Sequence, residues 1–519
     1  MKLLPLNLTR ANKHGIALLC ALLFFISPSL CARSKSLEPA APPATRASPT
    51  PVGSESFIRV NSTSQDYNLR QPWQQTPPQT GTAIGAIIQG NRVLVTATLI
   101  ADHRYVELED IDTGQTGAAE VEVVDYEAKL AILKPQDESF LTGKKPLELI
   151  DDATSGDILS VLQVQPNGNV ITSDGPVTSV EQIAYAYGNF FLVYRLNNSL
   201  QYRFNNRSLP VLKGNKLAGL LLRYDLAAQT SDVIAAPVIA HFIKDAADGE
   251  YQGFPLAGID IAHLTDPQLR KYIGIPDGKQ GVFVNNVVRG RPAELNGIAK
   301  GDVILEIAGF SIDNRGNYTH PLHGKLALAH LIRTEHFVGE TIPFKIFRGG
   351  KELELQVKLA YRKPEEYLVP PYLIDRAPKY FVLGGLIIQE LSLPYLQAVW
   401  RDWYMDAPPH LVYYQQNQDF DQEDIAHGRD KIVFVSDVLP TSYNNGYEGI
   451  SNAVITQINN KKIRHLNDIS AALESPINGF HKIDFELEPK TIYFDAKEMP
   501  DINEQLRQLY GLPTLENLD

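Results

Sequence analysis

A mainly β chain is expected, with an all-β barrel or sandwich followed by two copies of a smaller module of mixed strand and helix. Three observations predict this. Between residues 81 and 243, runs of strand length alternate with turn residues, at 83–89, 92–98, 105–110, 119–125, 129–133, 158–163, 190–196, 217–224 and 231–235. Gly90-Asn91, Asn167-Gly168 and Gly214-Asn215 mark tight turns, and no long helical pattern interrupts the series. Many short strands at this spacing indicate a barrel or a sandwich. From Phe254 to Tyr361 the pattern changes to glycine-punctuated apolar runs, Tyr272-Ile273-Gly274-Ile275, Gly281-Val282-Phe283-Val284 and Gly301-Asp302-Val303-Ile304, with Arg291-Pro292-Ala293 between them. The last third repeats that logic, from Leu383-Gly384-Gly385-Leu386 through 432–438 and 454–458 to a helix-like stretch at 467–473. A long insertion separates residues 391 and 429, and an amphipathic helix is expected at 502–510.

At 519 residues the chain is too long for one core. Net charge is −12 with no long basic run, which argues against nucleic acid and anionic membranes as partners. Lys2, Arg10 and Lys13 precede an apolar run at 16–26 and then Ser27-Pro28-Ser29-Leu30-Cys31-Ala32, the layout of a secretory signal peptide over residues 1–32. The run falls short of the ~20 apolar residues that span a bilayer. An uncleaved N-terminal anchor is the alternative. Leu30 before Cys31 does not suit a lipoprotein, which needs a small residue there. Both cysteines, Cys20 and Cys31, lie in this leader, so the mature chain is expected to lack thiols, disulfides and cysteine-based metal sites. Residues 33–78 are read as a linker and N-terminal arm, rich at first in Ala, Pro, Ser and Thr and then polar up to Pro77-Pro78.

Gly81-Thr82-Ala83-Ile84-Gly85-Ala86-Ile87-Ile88, followed by Val93-Leu94-Val95-Thr96-Ala97, resembles the first barrel strands of the HtrA/Deg family of serine proteases. Lys129-Leu130-Ala131-Ile132-Leu133 resembles the family's D-L-A-x-L strand, and Gly156-Asp157-Ile158 and Asp174-Gly175-Pro176-Val177 resemble its turn before the second half-barrel and its activation-side strand. The chain is similar to the family over nearly all of its length past the leader, most of all to plant-type Deg proteins. The resemblance implies a trypsin-like double β-barrel (the chymotrypsin fold) at 79–248, a PDZ domain at 249–362, and a divergent PDZ-like domain at 363–519 with a C-terminal helix.

Where the family carries its catalytic histidine, aspartate and serine, the motifs place Thr98, Lys129 and Arg207. Residues 205–210 read N-N-R-S-L-P in place of G-N-S-G-G-P. A serine hydroxyl attacks only when a base takes its proton and a third group orients that base. The glycines that aim an oxyanion hole are missing too, and losing one such donor costs ~10²–10³ in rate. Ser208, one position off, is the fallback nucleophile, with Lys129 as a base. His103, beside Asp102, is the one barrel histidine and reads as a solvated turn residue; Lys129 reads as a surface charge or a partner for Glu127.

In a PDZ domain an added peptide strand pairs with a sheet edge, and a glycine-containing loop gives amides to the terminal carboxylate. Tyr272, Ile273, Gly274 and Ile275 are the candidate loop of the first module, with Val282 and Phe283 on the paired strand; Leu383, Gly384, Gly385 and Leu386 are the candidate loop of the second. Within the insertion, Trp400, Trp403 and Tyr404 read as one apolar helix stripe. Asp419, Asp421, Glu423 and Asp424 fail as an EF-hand, since the sixth position is Asp424 and the twelfth Asp430. No metal or cofactor is expected.

The sequence thus leads to an exported pseudoprotease of the secreted or periplasmic compartment, acting as a scaffold or chaperone-like binder of extended peptides and C-termini. The alternatives are an active serine endopeptidase and a structural subunit mixed with an active paralogue. Family resemblance implies a homo-oligomer, a trimer or a multiple of one.

Overall fold

The computed structural model describes residues 53–165, 167–201, 208–419 and 428–518. The leader with Cys20 and Cys31, Arg207, and Asp421, Glu423 and Asp424 lie outside the described residues.

Two closed six-stranded barrels come first. β1 (Phe57–Ser64), β2 (Gln79–Ile88), β3 (Arg92–Thr96), β4 (His103–Glu109), β5 (Thr116–Asp125) and β6 (Leu130–Pro135) close in the order β1-β2-β3-β6-β5-β4. β7 (Ile158–Val164), β8 (Val170–Ala184), β9 (Phe190–Asn197), β10 (Pro210–Lys213), β11 (Lys216–Asp225) and β12 (Thr230–Ala235) close as β10-β11-β12-β9-β8-β7. Helix α1 (Ala236–Asp245) follows. This is the expected double barrel, with one boundary corrected. The first barrel does not begin at 79, because β1, inside the supposed arm, pairs with both β2 and β4 and buries Phe57, Ile58 and Val60.

The first module contains β13 (Ile259–His263), α2 (Pro267–Ile273), β14 (Val282–Val287), α3 (Pro292–Leu295), β15 (Val303–Ile307), β16 (Phe310–Ser311), β17 (Asn317–His320), β18 (Gly324–Ala327), α4 (Leu328–Arg333), β19 (Thr341–Arg348) and β20 (Lys351–Lys358). Its main sheet runs β13-β14-β15-β19-β20, which leaves β13 at an edge. One apolar core runs unbroken from the second barrel into this module through Phe191, Phe242, Phe254, Val282 and Leu331. His323 seals the joint, its Nε2 standing 2.6 Å from Asp152 Oδ2 of the barrel.

The second module opens with the hairpin β21 (Tyr380–Leu383) and β22 (Leu386–Glu390). The insertion forms α5 (Leu393–Val399), α6 (Trp403–Asp406) and α7 (Pro409–Asn417). β23 (Val433–Val438), β24 (Ile455–Ile458), β25 (Lys461–Lys462), α8 (Asp468–Leu473), β26 (Phe480–Phe485), β27 (Thr491–Asp495), α9 (Met499–Leu509) and β28 (Glu516–Asn517) complete it. Its sheets run β23-β22-β21-β28 and β25-β24-β26-β27. The single aromatic stripe expected in the insertion is not formed. Trp400 caps α5 and Trp403 opens α6; both pack on a buried cluster, while Tyr404 is 58% exposed.

Candidate functional site

A cavity of about 1020 Å³ has walls from three parts of the molecule. The barrel side supplies Thr98, Tyr126, Lys129 and Tyr187. The first module supplies the segment from Leu256 to Asp260, together with Leu328, Ala329 and Ile332 of α4. The third wall comes from the connecting segment and the insertion, including Arg362, Tyr367, Gln415 and Asp419.

On the barrel wall, Thr98 lies exposed in the turn after β3, between buried Ala97 and Leu99. Lys129 immediately precedes β6; its carbonyl accepts the Ala97 N–H at 3.0 Å, which pins the two positions together. The lysine backbone is left-handed, with φ 58°. Burial holds its ammonium below the ordinary lysine value, and the Arg223 guanidinium pushes the same way. Lys129 is not the partner of Glu127, which pairs with Arg333 at 2.9 Å. Burial pushes the Glu127 pKa up to about 7, against the opposing pull of Arg333.

Ser208 is fully buried, and its Oγ accepts the Thr96 N–H at 3.1 Å. A hydroxyl closed off in this way has no approach for a carbonyl carbon, so the fallback nucleophile is not presented to the cleft. His103 is not a solvated turn residue beside Asp102. It opens β4, half-buried, with Nδ1 2.9 Å from the Ile100 carbonyl and 3.7 Å from the Asp375 carboxylate.

The expected carboxylate loop of the first module is corrected by the structure. Tyr272 and Ile273 end α2, and Gly274, at φ 72°, caps that helix. The Gly274 N–H is spent on the Arg270 and Lys271 carbonyls at 3.1 and 3.2 Å. Ile275 is buried, and Tyr272 is 89% exposed. Val282 and Phe283 sit on β14, flanked by β13 and β15, so they offer no open edge.

β13 does present an open edge, and the loop that leads into it is Leu256-Ala257-Gly258. The Leu256 N–H binds the Ala360 carbonyl at 2.9 Å, whereas those of Ala257 and Gly258 meet no acceptor among the described residues. Gly258 has φ 74°, and a Cβ there would stand 2.6 Å from the Arg291 Cβ. Two unspent amides at a left-handed glycine share the cavity with apolar Leu328 and Ile332, the kinds of group that a carboxylate and an apolar side chain require. The sequence signal for this loop is Gly258 followed by the alternating Ile259-Asp260-Ile261.

The second candidate loop is filled by its own module. Leu383 and Leu386 are buried, and Gly384-Gly385 is the turn of the β21–β22 hairpin. The Gly384 N–H goes to Asn503 Oδ1 at 3.0 Å, and Asn444 Nδ2 reaches the Gly384 and Leu439 carbonyls at 3.0 and 2.8 Å. β22, which takes the place of β13, is covered by β21, and β21 in turn by β28. This edge is closed.

His320, His330 and Glu335 bring their ligand-type atoms within 4.8 Å of one another. His320 Nδ1 accepts from the amides of Leu322 and His323 at 3.2 and 3.3 Å, which leaves the proton of the neutral ring on its other nitrogen. His330 Nε2 lies 3.1 Å from Glu335. Within the trio, His330 and Glu335 pair with each other, while His320 spends Nδ1 on backbone amides. Of the acidic loop, Asp419 pairs with Arg362.

A PDZ domain model matches residues 258–359, and a second PDZ domain model matches 369–516. Among curated proteins, Protease Do-like 4, mitochondrial, of Arabidopsis thaliana is 24% identical over 469 residues, covering 89% of this chain and 85% of the relative. Putative protease Do-like 6, chloroplastic, of the same plant is 30% identical over 169 residues, covering 32% of this chain and 77% of the relative. Among solved structures, the HtrA-type protease AlgW with decapeptide aligns at a TM-score of 0.47 and 16% identity, covering 62% of this chain and 100% of that one.

Proposed function

The chain belongs to the HtrA/Do-like protease family, and we propose that it is a non-cleaving member that holds extended polypeptides by their C-termini. One observation carries this reading: the edge strand β13 opens, through the unspent amides of Ala257 and Gly258, onto a cleft whose barrel wall presents Thr98 and Lys129. A strand added to β13 gains main-chain pairing, and Leu328 and Ile332 provide the apolar surface that receives its last side chain. Hydrolysis is unsupported at each step. Neither threonine nor a lysine flanked by a guanidinium orients an imidazole, and the serine nearest the family's nucleophile is buried.

The test is binding of fluorescent C-terminal peptides by anisotropy. Wild-type protein is expected to bind free-acid peptides and to lose at least tenfold in affinity when the terminus is amidated. Gly258→Val is expected to abolish binding, because the side chain strikes Arg291 and forces a left-handed valine. Digestion of unfolded casein by the purified protein, stopped by Ser208→Ala, overturns the reading. Export by the N-terminal leader and assembly into trimers or their multiples belong to the same proposal. Cell fractionation and sedimentation check them.

A further inference from the structure

Lys129 is the one cation of the cavity whose charge is unmet among the described residues. Arg291 pairs with Glu366 at 2.7 Å, Arg333 with Glu127 at 2.9 Å, and Arg362 with Asp419. Of the carboxylates on the walls, Asp419 is taken by Arg362, and Asp260 accepts from Asn285 at 2.7 Å. Lys129 has no acceptor or carboxylate within reach among the described residues, and the charged group that acts on it is a second cation, Arg223. Its position is costly in two ways. A half-buried ammonium without a counter-charge loses hydration, and a non-glycine residue at φ 58° is strained by roughly 1–2 kcal/mol. Costs of this kind, gathered at one residue facing a cavity, point to a role in binding.

Resting on the peptide-binding reading above, we infer that Lys129 takes the carboxylate of an acidic side chain in the bound polypeptide, upstream of its C-terminus. With the terminus on the Ala257 and Gly258 amides, the chain runs along β13, whose first residues Ile259 and Asp260 line the same cavity as Lys129. A cavity of that volume is roughly 12 Å across, room for three to four extended residues at ~3.3 Å each. An acidic side chain at one of these positions meets the ammonium in a partly dry setting, where an ion pair is worth more than at the surface. Burial holds the amine below its usual value, and an arriving carboxylate reverses that by favouring the charged form. The barrel wall, emptied of its triad, would then choose which peptides the first PDZ domain keeps.

The experiment is anisotropy on the purified full chain with fluorescein-labelled C-terminal peptides in which glutamate, or glutamine as its neutral match, is walked through each upstream position. Expected is a preference for glutamate of about tenfold at one position. Lys129→Gln removes it while leaving the glutamine peptide's affinity unchanged, which also shows that the variant is folded. Lys129→Arg retains most of it. Equal binding of both peptides at every position, or a preference that survives Lys129→Gln, overturns the inference while peptide binding itself stands. If Lys129→Gln instead erases discrimination between free-acid and amidated termini, Lys129 holds the terminal carboxylate and the side-chain assignment is overturned. If no peptide binds wild-type protein, the reading beneath it fails as well.

Discussion

His241 sits on α1 with its ring stacked between Phe254 and Phe337, centroids 4.4 and 4.1 Å away. Nδ1 lies 3.0 Å from the Thr334 carbonyl, and Nε2 is buried without a partner. Burial therefore pushes its pKa down to about 4, with Lys244 adding to the effect and the Thr334 carbonyl, Asp125 and Glu340 opposing it. The unfolded chain binds a proton here near pH 6.5 and the folded one only near pH 4, so the neutral ring contributes its full stability above about 6.5. That contribution falls as the pH drops toward 4, by on the order of 3 kcal/mol. Glu127 works in the opposite direction, its raised pKa favouring the protonated folded state. The readout is thus a difference: denaturant unfolding at pH 7 and pH 4 should show wild type losing about 3 kcal/mol more than His241→Phe. Equal losses would contradict the burial argument.

At the scale of elements, the two PDZ domains differ in which strand is covered: β13 lies at an edge, and its counterpart β22 does not. In the second, Asn444 ties the Gly384-Gly385 turn to the chain after β23 through three hydrogen bonds, counting the one its Oδ1 accepts from Thr441 at 2.9 Å. Asn444→Ala is expected to cost about 2–4 kcal/mol in unfolding free energy, because two buried carbonyls and an amide lose their partner together. Strands such as β2, β3 and β9 were legible in the sequence because they are continuous apolar runs with turn residues at their ends. β1 was not: Arg59, Asn61 and the polar run Ser62-Thr63-Ser64 hide its alternation, and its neighbours β2 and β4, distant in sequence, make it a strand. The candidate loop was misplaced for a related reason. A left-handed glycine after apolar residues serves a helix cap as well as a carboxylate loop. The cue that separates them is the helix start behind Gly274, where Asp266 Oδ1 accepts the Gln268 N–H at 2.8 Å and Pro267 opens α2. Which strand lies at an edge is a property of the whole sheet, and no local stretch encodes it.

Across the whole molecule, part of the first barrel, the second barrel and the first PDZ domain share one core, whereas the second PDZ domain has apolar clusters of its own. Calorimetry should therefore resolve two transitions, and Asn444→Ala should lower one and leave the other in place. A single transition displaced as a unit by that substitution would contradict the division. The cavity has walls from the barrels, the first PDZ domain and the insertion of the second, and a chain bound as proposed would lie among all three. A strand lying on an open sheet edge can peel away from one end. A chain held as proposed, with walls on three sides as well as the strand edge, would enter and leave more slowly. Stopped-flow association should accordingly fall below the usual ~10⁵–10⁷ M⁻¹s⁻¹ and level off at high peptide concentration, and captured chains should reside longer than their affinity alone implies.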